Sequence, residues 1–361
     1  MTQLTERQFI SEFWFPIGIV DLRLRLVFAL ALIATSGLLL IGCSRSDNGS
    51  IDLGRRVDTE ELGCFFSPSS IVQREGLAYA TSGGNLTILD VSDPVYPRCV
   101  STYDTTRGAS DIALDGQYAY LATQGLLVMD ISDPRNPQEL FRYDVDSAAT
   151  DIKLKDGYAY LAAESSGLLI FDVSNPQRPE LVSQMTFPEA AVDSPRVNVT
   201  AIDFVGEYVY VLVQGDYPYF IAILDVSDPA APKVLRRFVP ESELNPWDIV
   251  VHGQHAFLNG GFRYLDVVDV SDPLAPRLMG SADIPGGLRQ YVVDGNYVYV
   301  GGGENISVID VADPAQPRVA GFYEIGTNNI SRVGDYIYSV GQTLENGDSY
   351  PLKLHIFRFV P

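Results

Sequence analysis

The chain has 361 residues, and its 46 Asp and Glu residues outnumber its 25 Lys and Arg residues, which gives a formal net charge of -21. This acidic excess argues against nucleic-acid binding, because such proteins use Lys and Arg to displace counterions from phosphates. It favours cationic partners or divalent ions instead. The 31 Gly, 22 Pro and 20 Tyr residues suit a fold of many short strands joined by tight turns.

An apolar run near the amino terminus, Leu26–Ile41, follows Arg23 and Arg25. It is shorter than the roughly 20 residues that a membrane-spanning helix needs, so it is typical of the core of a secretory signal peptide. The run ends in Leu40-Ile41-Gly42-Cys43, which resembles the lipobox of bacterial lipoproteins.

The lipobox resemblance implies cleavage before Cys43 and acylation of its thiol. Residues 1–42 are then a signal peptide, and residues 43–60 are the acylated cysteine and a flexible linker. Ser44 rather than Asp after the cysteine implies a cell-envelope lipoprotein of the outer membrane, on its periplasmic face or at the cell surface. The alternative is a short anchor that is not cleaved.

Two further cysteines, Cys64 and Cys99, remain in the mature chain. An even number of cysteines in a secreted protein is compatible with a disulfide bond. The sequence leaves two interpretations open, a Cys64–Cys99 bridge or two unpaired buried thiols.

Everything after residue 69 follows an internal repeat, built around a strand that carries tyrosine, as in "GQYAYLAT" and "DGYAYLAA". Seven copies align, and their equivalent positions are Leu77, Tyr118, Tyr158, Tyr208, His255, Tyr297 and Tyr336. A period near 40 residues with strand-like content is typical of a propeller blade. Each unit has room for four strands, of which the tyrosine strand is the second.

The third strand of each unit and its exit, as in "LTILDVSDP" and "LLVMDISDP", resemble the LVIVD repeat, a β-propeller unit of bacterial and archaeal envelope proteins. Six copies match well, and a seventh, "LKLHIFRFVP", is degenerate. The resemblance covers roughly residues 69–361 and implies an all-β fold, a single seven-bladed propeller of four-stranded antiparallel blades, to which we assign residues 61–361. It implies little about chemistry, because folds do not fix functions.

The seventh unit reaches Pro361 directly after its third strand. A strand from the segment that precedes the first repeat is therefore expected to complete blade 7 and close the ring, either within Asp52–Val57 or within Gly63–Phe66. Closure in this way removes an open edge, which is a liability for β-proteins.

The Asp-x-Ser-Asp-Pro exits allow two interpretations, a turn or a small ion-binding loop. Pro suits the second position of a turn, and the preceding Asp can accept backbone N–H bonds. An EF-hand loop would also need a Gly at its bend and a closing Glu, and neither recurs. We therefore predict structural turns.

A ring of mostly polar residues is predicted at one mouth of the channel, where the innermost strands begin. Its candidate binding residues are Ser70, Asp111, Asp151, Asp248, Gln290 and Asn329, with Ala201 as the apolar member. Either they hydrogen-bond the turns between blades and the channel water, or they form a site for a cation or polar ligand. Carboxylates in this arrangement would favour Ca²⁺.

The longest predicted loops lie on the same face as this ring. They carry the candidate binding residues Tyr217, Tyr219 and Trp247, and Arg289 lies beside the ring. Aromatic residues on long loops of a rigid scaffold are common in binding sites. The alternative is solvated surface variation.

No catalytic motif stands out, because the sequence has no nucleophile elbow, zinc-ligand spacing or phosphate-binding loop. The first functional hypothesis is a non-catalytic module that binds a protein, peptide or glycan on the loop-rich face while a lipid attaches it to the membrane. The second is a hydrolase or lyase that acts at the pore mouth. No cofactor other than the Ca²⁺ hypothesis is predicted, and no nucleic-acid partner.

Overall fold

The computed structural model describes residues 50–360 with short gaps. The gaps are residues 59–60, 65–66, 83, 188–196, 216–218, 241–245, 261–262, 286, 289, 304, 324, 343, 346–347 and 350–352. The predicted signal peptide and Cys43 lie outside the described residues, as do Tyr217 and Arg289. Within the described part of the chain, no helix has the length and hydropathy needed to cross a bilayer.

Seven antiparallel sheets of four strands form the blades of a propeller, as predicted. The first strand of the chain is β1 (Ser50–Asp58), which belongs to the last blade. Blade 1 contains β2 (Pro68–Arg74), β3 (Leu77–Ser82), β4 (Asn85–Asp90) and β5 (Arg98–Asp104). Blade 2 contains β6 (Asp111–Asp115), β7 (Tyr118–Thr123), β8 (Gly125–Asp130) and β9 (Gln138–Asp144). Blade 3 contains β10 (Asp151–Lys155), β11 (Tyr158–Ala163), β12 (Gly167–Asp172) and β13 (Glu180–Met185).

The remaining blades repeat this order. Blade 4 contains β14 (Asn198–Val205), β15 (Tyr208–Gln214), β16 (Phe220–Asp225) and β17 (Lys233–Phe238). Blade 5 contains β18 (Ile249–His252), β19 (His255–Gly260), β20 (Tyr264–Asp269) and β21 (Arg277–Asp283). Blade 6 contains β22 (Gln290–Asp294), β23 (Tyr297–Gly301), β24 (Ile306–Asp310) and β25 (Arg318–Tyr323). Blade 7 contains β26 (Gly326–Val333), β27 (Tyr336–Gln342), β30 (Lys353–Val360) and β1, and a small hairpin of β28 (Leu344–Glu345) and β29 (Asp348–Ser349) lies between β27 and β30.

Each blade packs both faces against its neighbours, which explains the continuous apolar runs in the third strands. In β8, Leu127 and Met129 pack with residues of blade 1, whereas Leu126 and Val128 pack with residues of blade 3. Consecutive residues of a strand point to opposite faces, so an unbroken apolar run is needed wherever both faces are covered.

The Asp-x-Ser-Asp-Pro segments are turns between the third and fourth strands, as predicted. Asp90 Oδ1 accepts hydrogen bonds from the N–H (3.0 Å) and the hydroxyl (2.7 Å) of Ser92, and these bonds lower the pKa of Asp90. Asp93 Oδ1 accepts the N–H of Val95 at 3.1 Å. Backbone N–H bonds of the same two kinds recur at Asp130 and Asp133, Asp172 and Asn175, Asp225 and Asp228, Asp269 and Asp272, and Asp310 and Asp313.

The ring is closed by β1, which pairs antiparallel with β30 from Ser50 opposite Val360 to Asp58 opposite Lys353. The closing strand therefore comes from the first of the two predicted segments. It also occupies residues that were assigned to the flexible linker, so the propeller begins at Ser50 and not at residue 61. The edge of β30 provides the backbone hydrogen-bond partners of β1.

The segment after β1 is joined covalently to blade 1. Cys64 and Cys99 form a disulfide with their Cα atoms 6.0 Å apart, and the N–H of Cys99 donates to the carbonyl of Leu62 at 3.1 Å. Leu62 is buried in the same apolar cluster as Val57 of β1 and Leu354 of β30. The closure of the ring is thus fixed by a strand pairing, an apolar cluster and a covalent bond.

Candidate functional site

The predicted ring residues converge at one mouth of the central channel, around a cavity of about 450 Å³ that we call the pore-mouth cavity. Five of the six predicted residues line it, namely Ser70, Asp111, Asp151, Asp248 and Gln290. Asn329 is not among the lining residues, and its N–H donates to the hydroxyl of Thr327 at 3.3 Å.

Three of the ring side chains join neighbouring blades. Asp111 Oδ2 accepts the N–H of Ile152 at 3.1 Å, and Asp151 Oδ2 accepts the N–H of Ile202 at 2.8 Å. Gln290 Oε1 accepts the N–H of Ile330 at 2.9 Å. The innermost strand of a blade is an edge strand, so its channel-side N–H groups need partners from outside the sheet. The acceptors come from the preceding blade, and the donors are on inner strands rather than on the turns that one interpretation predicted.

Two further side chains that join neighbouring blades were not predicted from the sequence. Asp203 Oδ2 accepts the N–H of Val251 in the next blade at 2.7 Å. Gln73 Oε1 instead accepts at 2.6 Å the N–H of Gly334, which lies in the turn after β26 of the preceding blade. Both lie further along their inner strands than the ring positions. Their signal in the sequence is a polar residue two or three positions after the ring position, in a strand that is otherwise apolar.

Lys153 is the most important lining residue that the sequence analysis missed. Its ammonium group donates to Asp151 Oδ1 and lies 3.8 Å from Asp111 Oδ2. Burial alone would lower the pKa of Lys153, but the carboxylates of Asp151, Asp111 and Asp203 outweigh burial and raise it. Lys153 comes two residues after Asp151 in β10, so the alternation of a strand places both on the same side.

The carboxyl groups of the cavity differ in their proton affinity. Burial raises the pKa of Asp151 well above its usual range. Burial alone would also raise that of Asp111, but Lys153 and hydrogen bonds from Asp151, Ser70 and Ile152 lower the pKa of Asp111. The pKa values of Asp111 and Asp151 are therefore shifted in opposite directions, although both carboxyl groups lie beside Lys153. Burial raises the pKa of Asp248 as well.

A buried amide positions the rim of the cavity. Asn259 is 1% exposed, and its Oδ1 accepts the N–H groups of both Trp247 and Asp248 at 2.7 Å. The indole of Trp247 is half exposed at the rim, at 50%. Other polar residues complete the wall, namely Ser69, Ser110, Thr150, Glu164, Asn198, Thr200 and Gln214.

The prediction that Tyr219 is a binding residue on the loop-rich face is wrong, because its side chain is buried. Tyr219 is 2% exposed and packs in the apolar cluster between blades 4 and 5, with Ile221 and Ile249. Tyr219 immediately precedes β16. Burial of its aromatic ring against the neighbouring blade contributes a favourable hydrophobic free energy. Of the predicted aromatic loop residues that the structure describes, Trp247 is thus the one that reaches the cavity.

The described residues do not fit the Ca²⁺ hypothesis. Among them, no three His, Cys, Asp or Glu side chains converge closely enough to hold a metal ion. Calcium needs six to eight oxygen ligands, whereas the ammonium of Lys153 occupies the position beside Asp111 and Asp151 that a cation would take.

Comparison with known proteins gives the same repeat as the sequence. The family model described as the LVIVD repeat matches residues 69–105, 106–145, 147–186, 198–238, 245–284 and 286–324. These segments correspond to blades 1 to 6 and make up more than half of the chain. No curated protein matches the chain.

Solved structures share the fold at low sequence identity. A chain of the mitotic checkpoint complex has a TM-score of 0.62 at 8% identity, and the alignment covers 90% of this chain and 99% of that one. The Cps50 (Swd1) β-propeller domain from Myceliophteria thermophila has a TM-score of 0.60 at 11% identity, with 85% and 99% covered. BamB from Moraxella catarrhalis has a TM-score of 0.52 at 10% identity, with 86% and 98% covered.

Proposed function

The chain belongs to the LVIVD repeat family, and from that premise we propose that it is a non-catalytic binding or scaffold module for a protein, peptide or glycan. The observation that carries the proposal is the pore-mouth cavity, a polar recess in a rigid ring with an exposed indole at its rim. A small number of convergent polar groups beside an aromatic side chain is typical of binding sites.

We propose further that the protein is a lipoprotein of the cell envelope, attached to the outer membrane through Cys43. The chain enters the propeller at Ser50, which pairs with Val360 at the end of β30 that is remote from the pore mouth. Ser50 is seven positions after Cys43, and a fully extended chain covers about 25 Å over seven positions. A lipid at Cys43 would therefore leave the cavity accessible on the far side of the propeller.

Acylation predicts a change in fractionation. Cys43→Ala should stop the incorporation of labelled palmitate and move the protein from the membrane fraction to the soluble fraction. Cys99→Ala is the matched control, because its thiol is in the disulfide, and it should keep the label. Palmitate labelling that persists in the Cys43→Ala variant would contradict the anchor.

The alternative function is a hydrolase or lyase at the pore mouth. Asp111 and Asp151 have pKa values shifted in opposite directions, as acid and base pairs do. Both carboxylates, however, accept a backbone N–H of the next blade and contact Lys153. These contacts give both carboxylates a structural role between the inner strands. We therefore prefer the binding function to the catalytic one.

A pull-down from envelope extract tests the binding proposal. The 44–361 fragment should recover a partner, and Trp247→Ser should reduce the recovery several-fold. Tyr96→Ser is the matched control, since Tyr96 is also exposed, at 55%, but lies in the turn after β4 on the opposite face. Equal recovery by both variants would show that the partner does not use the rim of the cavity, and recovery of no partner would contradict the proposal.

A further inference from the structure

The charges of the pore-mouth cavity are not balanced within the described residues. The ammonium of Lys153 pairs with Asp151 and lies 3.8 Å from Asp111 Oδ2, so one cation faces two carboxyl groups. Its charge also lowers the pKa of Asp248, but by less than burial raises it. Asp248 and Glu164 line the same cavity, and no described Lys, Arg or His lies within ion-pair distance of either.

Two hydrogen bonds within the chain fix the position of Asp248. Its Oδ1 accepts the N–H of Ile249 at 2.8 Å, and its backbone N–H is fixed by the buried amide of Asn259. The same amide fixes the backbone N–H of Trp247, and both residues line the pore-mouth cavity. Preorganisation of this kind lowers the entropy cost of binding.

The wall beside these residues offers a further polar group. Thr200 lines the cavity, and its hydroxyl oxygen is buried without a hydrogen-bond partner in the described residues. Buried hydroxyl groups are nearly always hydrogen-bonded in folded proteins.

We propose that the pore-mouth cavity binds the guanidinium or ammonium group of an Arg or Lys side chain of a partner, with Asp248 as the counter-ion and Trp247 beside it. The inference rests on the proposed binding function and names its ligand. A guanidinium group pairs with a carboxylate through parallel hydrogen bonds, and an indole attracts an organic cation to its face. The ligand class also agrees with the net charge of -21.

An organic cation suits these residues better than a metal ion. A metal would need several oxygen ligands at fixed distances, and the described residues provide no such cluster. A guanidinium group needs only one carboxylate and can place its plane against an aromatic ring. Burial raises the pKa of Asp248, and a bound cation would lower it by stabilising the ionised carboxylate.

Two small probes test the proposal in the 43–361 protein. Arginine amide carries the guanidinium group, and citrulline amide is its neutral analogue of the same shape. Trp247 is the sole Trp of residues 43–361, so its fluorescence reports on binding at the rim without a label. We expect saturable quenching by arginine amide and about tenfold weaker binding, or none, with citrulline amide.

Asp248→Asn removes the charge and should weaken arginine amide binding by about ten- to a hundredfold. Asp156→Asn is the matched control, because its side chain is 79% exposed in the turn between β10 and β11, and it should bind as the unchanged protein does. Equal affinity for both probes, or unchanged affinity in the Asp248→Asn variant, would overturn the proposal.

The two probes remain informative in the unchanged protein even where Asp248→Asn impairs folding. Different results would contradict the proposed binding function and the proposed ligand class. A partner that is recovered through Trp247 from envelope extract while arginine amide does not bind would contradict the cationic ligand alone. Loss of both results would contradict the binding function as well.

Discussion

Replacing Val57 by Asp should destabilise the whole propeller, with a loss of at least about 4 kcal/mol in the free energy of unfolding. Val57 is 2% exposed in β1, lies opposite Leu354 of β30, and packs in the cluster that also contains Tyr338 of β27. A carboxylate at this position would be buried among apolar side chains. It would also weaken the pairing that closes the ring. Urea unfolding followed by circular dichroism measures the effect.

Val234→Asp is the matched control for this experiment. Val234 is 41% exposed in β17, which is the outermost strand of blade 4 as β1 is of blade 7. The same substitution there should change the free energy of unfolding by no more than about 1 kcal/mol. Similar small effects of both substitutions would mean that β1 contributes little to the ring.

The turns could be predicted from the sequence because their hydrogen bonds are local. The acceptor Asp90 and the donor Ser92 are two residues apart, and the same spacing recurs in five other blades. The seven aligned copies of the tyrosine strand likewise predicted the period of the repeat, and with it the number of blades. Local chemistry repeated in register is the kind of information that a single sequence carries best.

The closing strand was predictable only to within two segments. Its partner β30 lies about 300 residues further along the chain, so no local pattern relates the two. The segment that forms β1 has the sequence "SIDLGRRVD", which contains Gly and charged residues and resembles a linker. Its strand conformation comes from pairing with an edge that the fold presents, and tertiary context overrides weak local propensity in such cases.

The candidate site was predictable in position but not in chemistry. Counting back from the tyrosine strands located five of the cavity residues, because each inner strand begins at the same point of its blade. The pairing of Lys153 with Asp111 could not be found in this way, since it joins two blades across 42 positions of the sequence. Lys153 therefore occupies the centre of the predicted calcium ring and forms ion pairs with Asp111 and Asp151, whereas no described cation forms an ion pair with Asp248.

Removal of the Lys153 ammonium, as in Lys153→Met, should lower the free energy of unfolding at neutral pH by about 3 kcal/mol. Loss of one partner of a buried ion pair costs about 3–5 kcal/mol, and we expect the lower end because 35% of the Lys153 side chain is exposed to the cavity. Asp151→Asn in the same variant should restore part of the loss, because it removes the carboxylate that would otherwise have no counter-ion.

The loss in Lys153→Met should depend on pH in a direction that a general packing defect would not produce. The folded-state pKa of Asp151 is already raised by burial, and without Lys153 it rises further. A raised carboxyl pKa means that protonation favours the folded state. The penalty is therefore absent below about pH 4, the usual pKa of Asp in an unfolded chain, and it grows as the pH rises through the folded-state pKa.

Lys155→Met is the matched control, because it removes another lysine of the same inner strand that does not contact the Asp111 and Asp151 carboxyl groups. Lys155 also lies in β10, where its ammonium donates to the carbonyl of Gly206 at 2.8 Å and pairs with Glu207, whose side chain is 80% exposed. Its replacement should cost no more than about 1 kcal/mol, with little dependence on pH. An equal cost in both variants at every pH would show that Lys153 contributes through packing alone. The Asp111 and Asp151 carboxyl groups would then not depend on its charge.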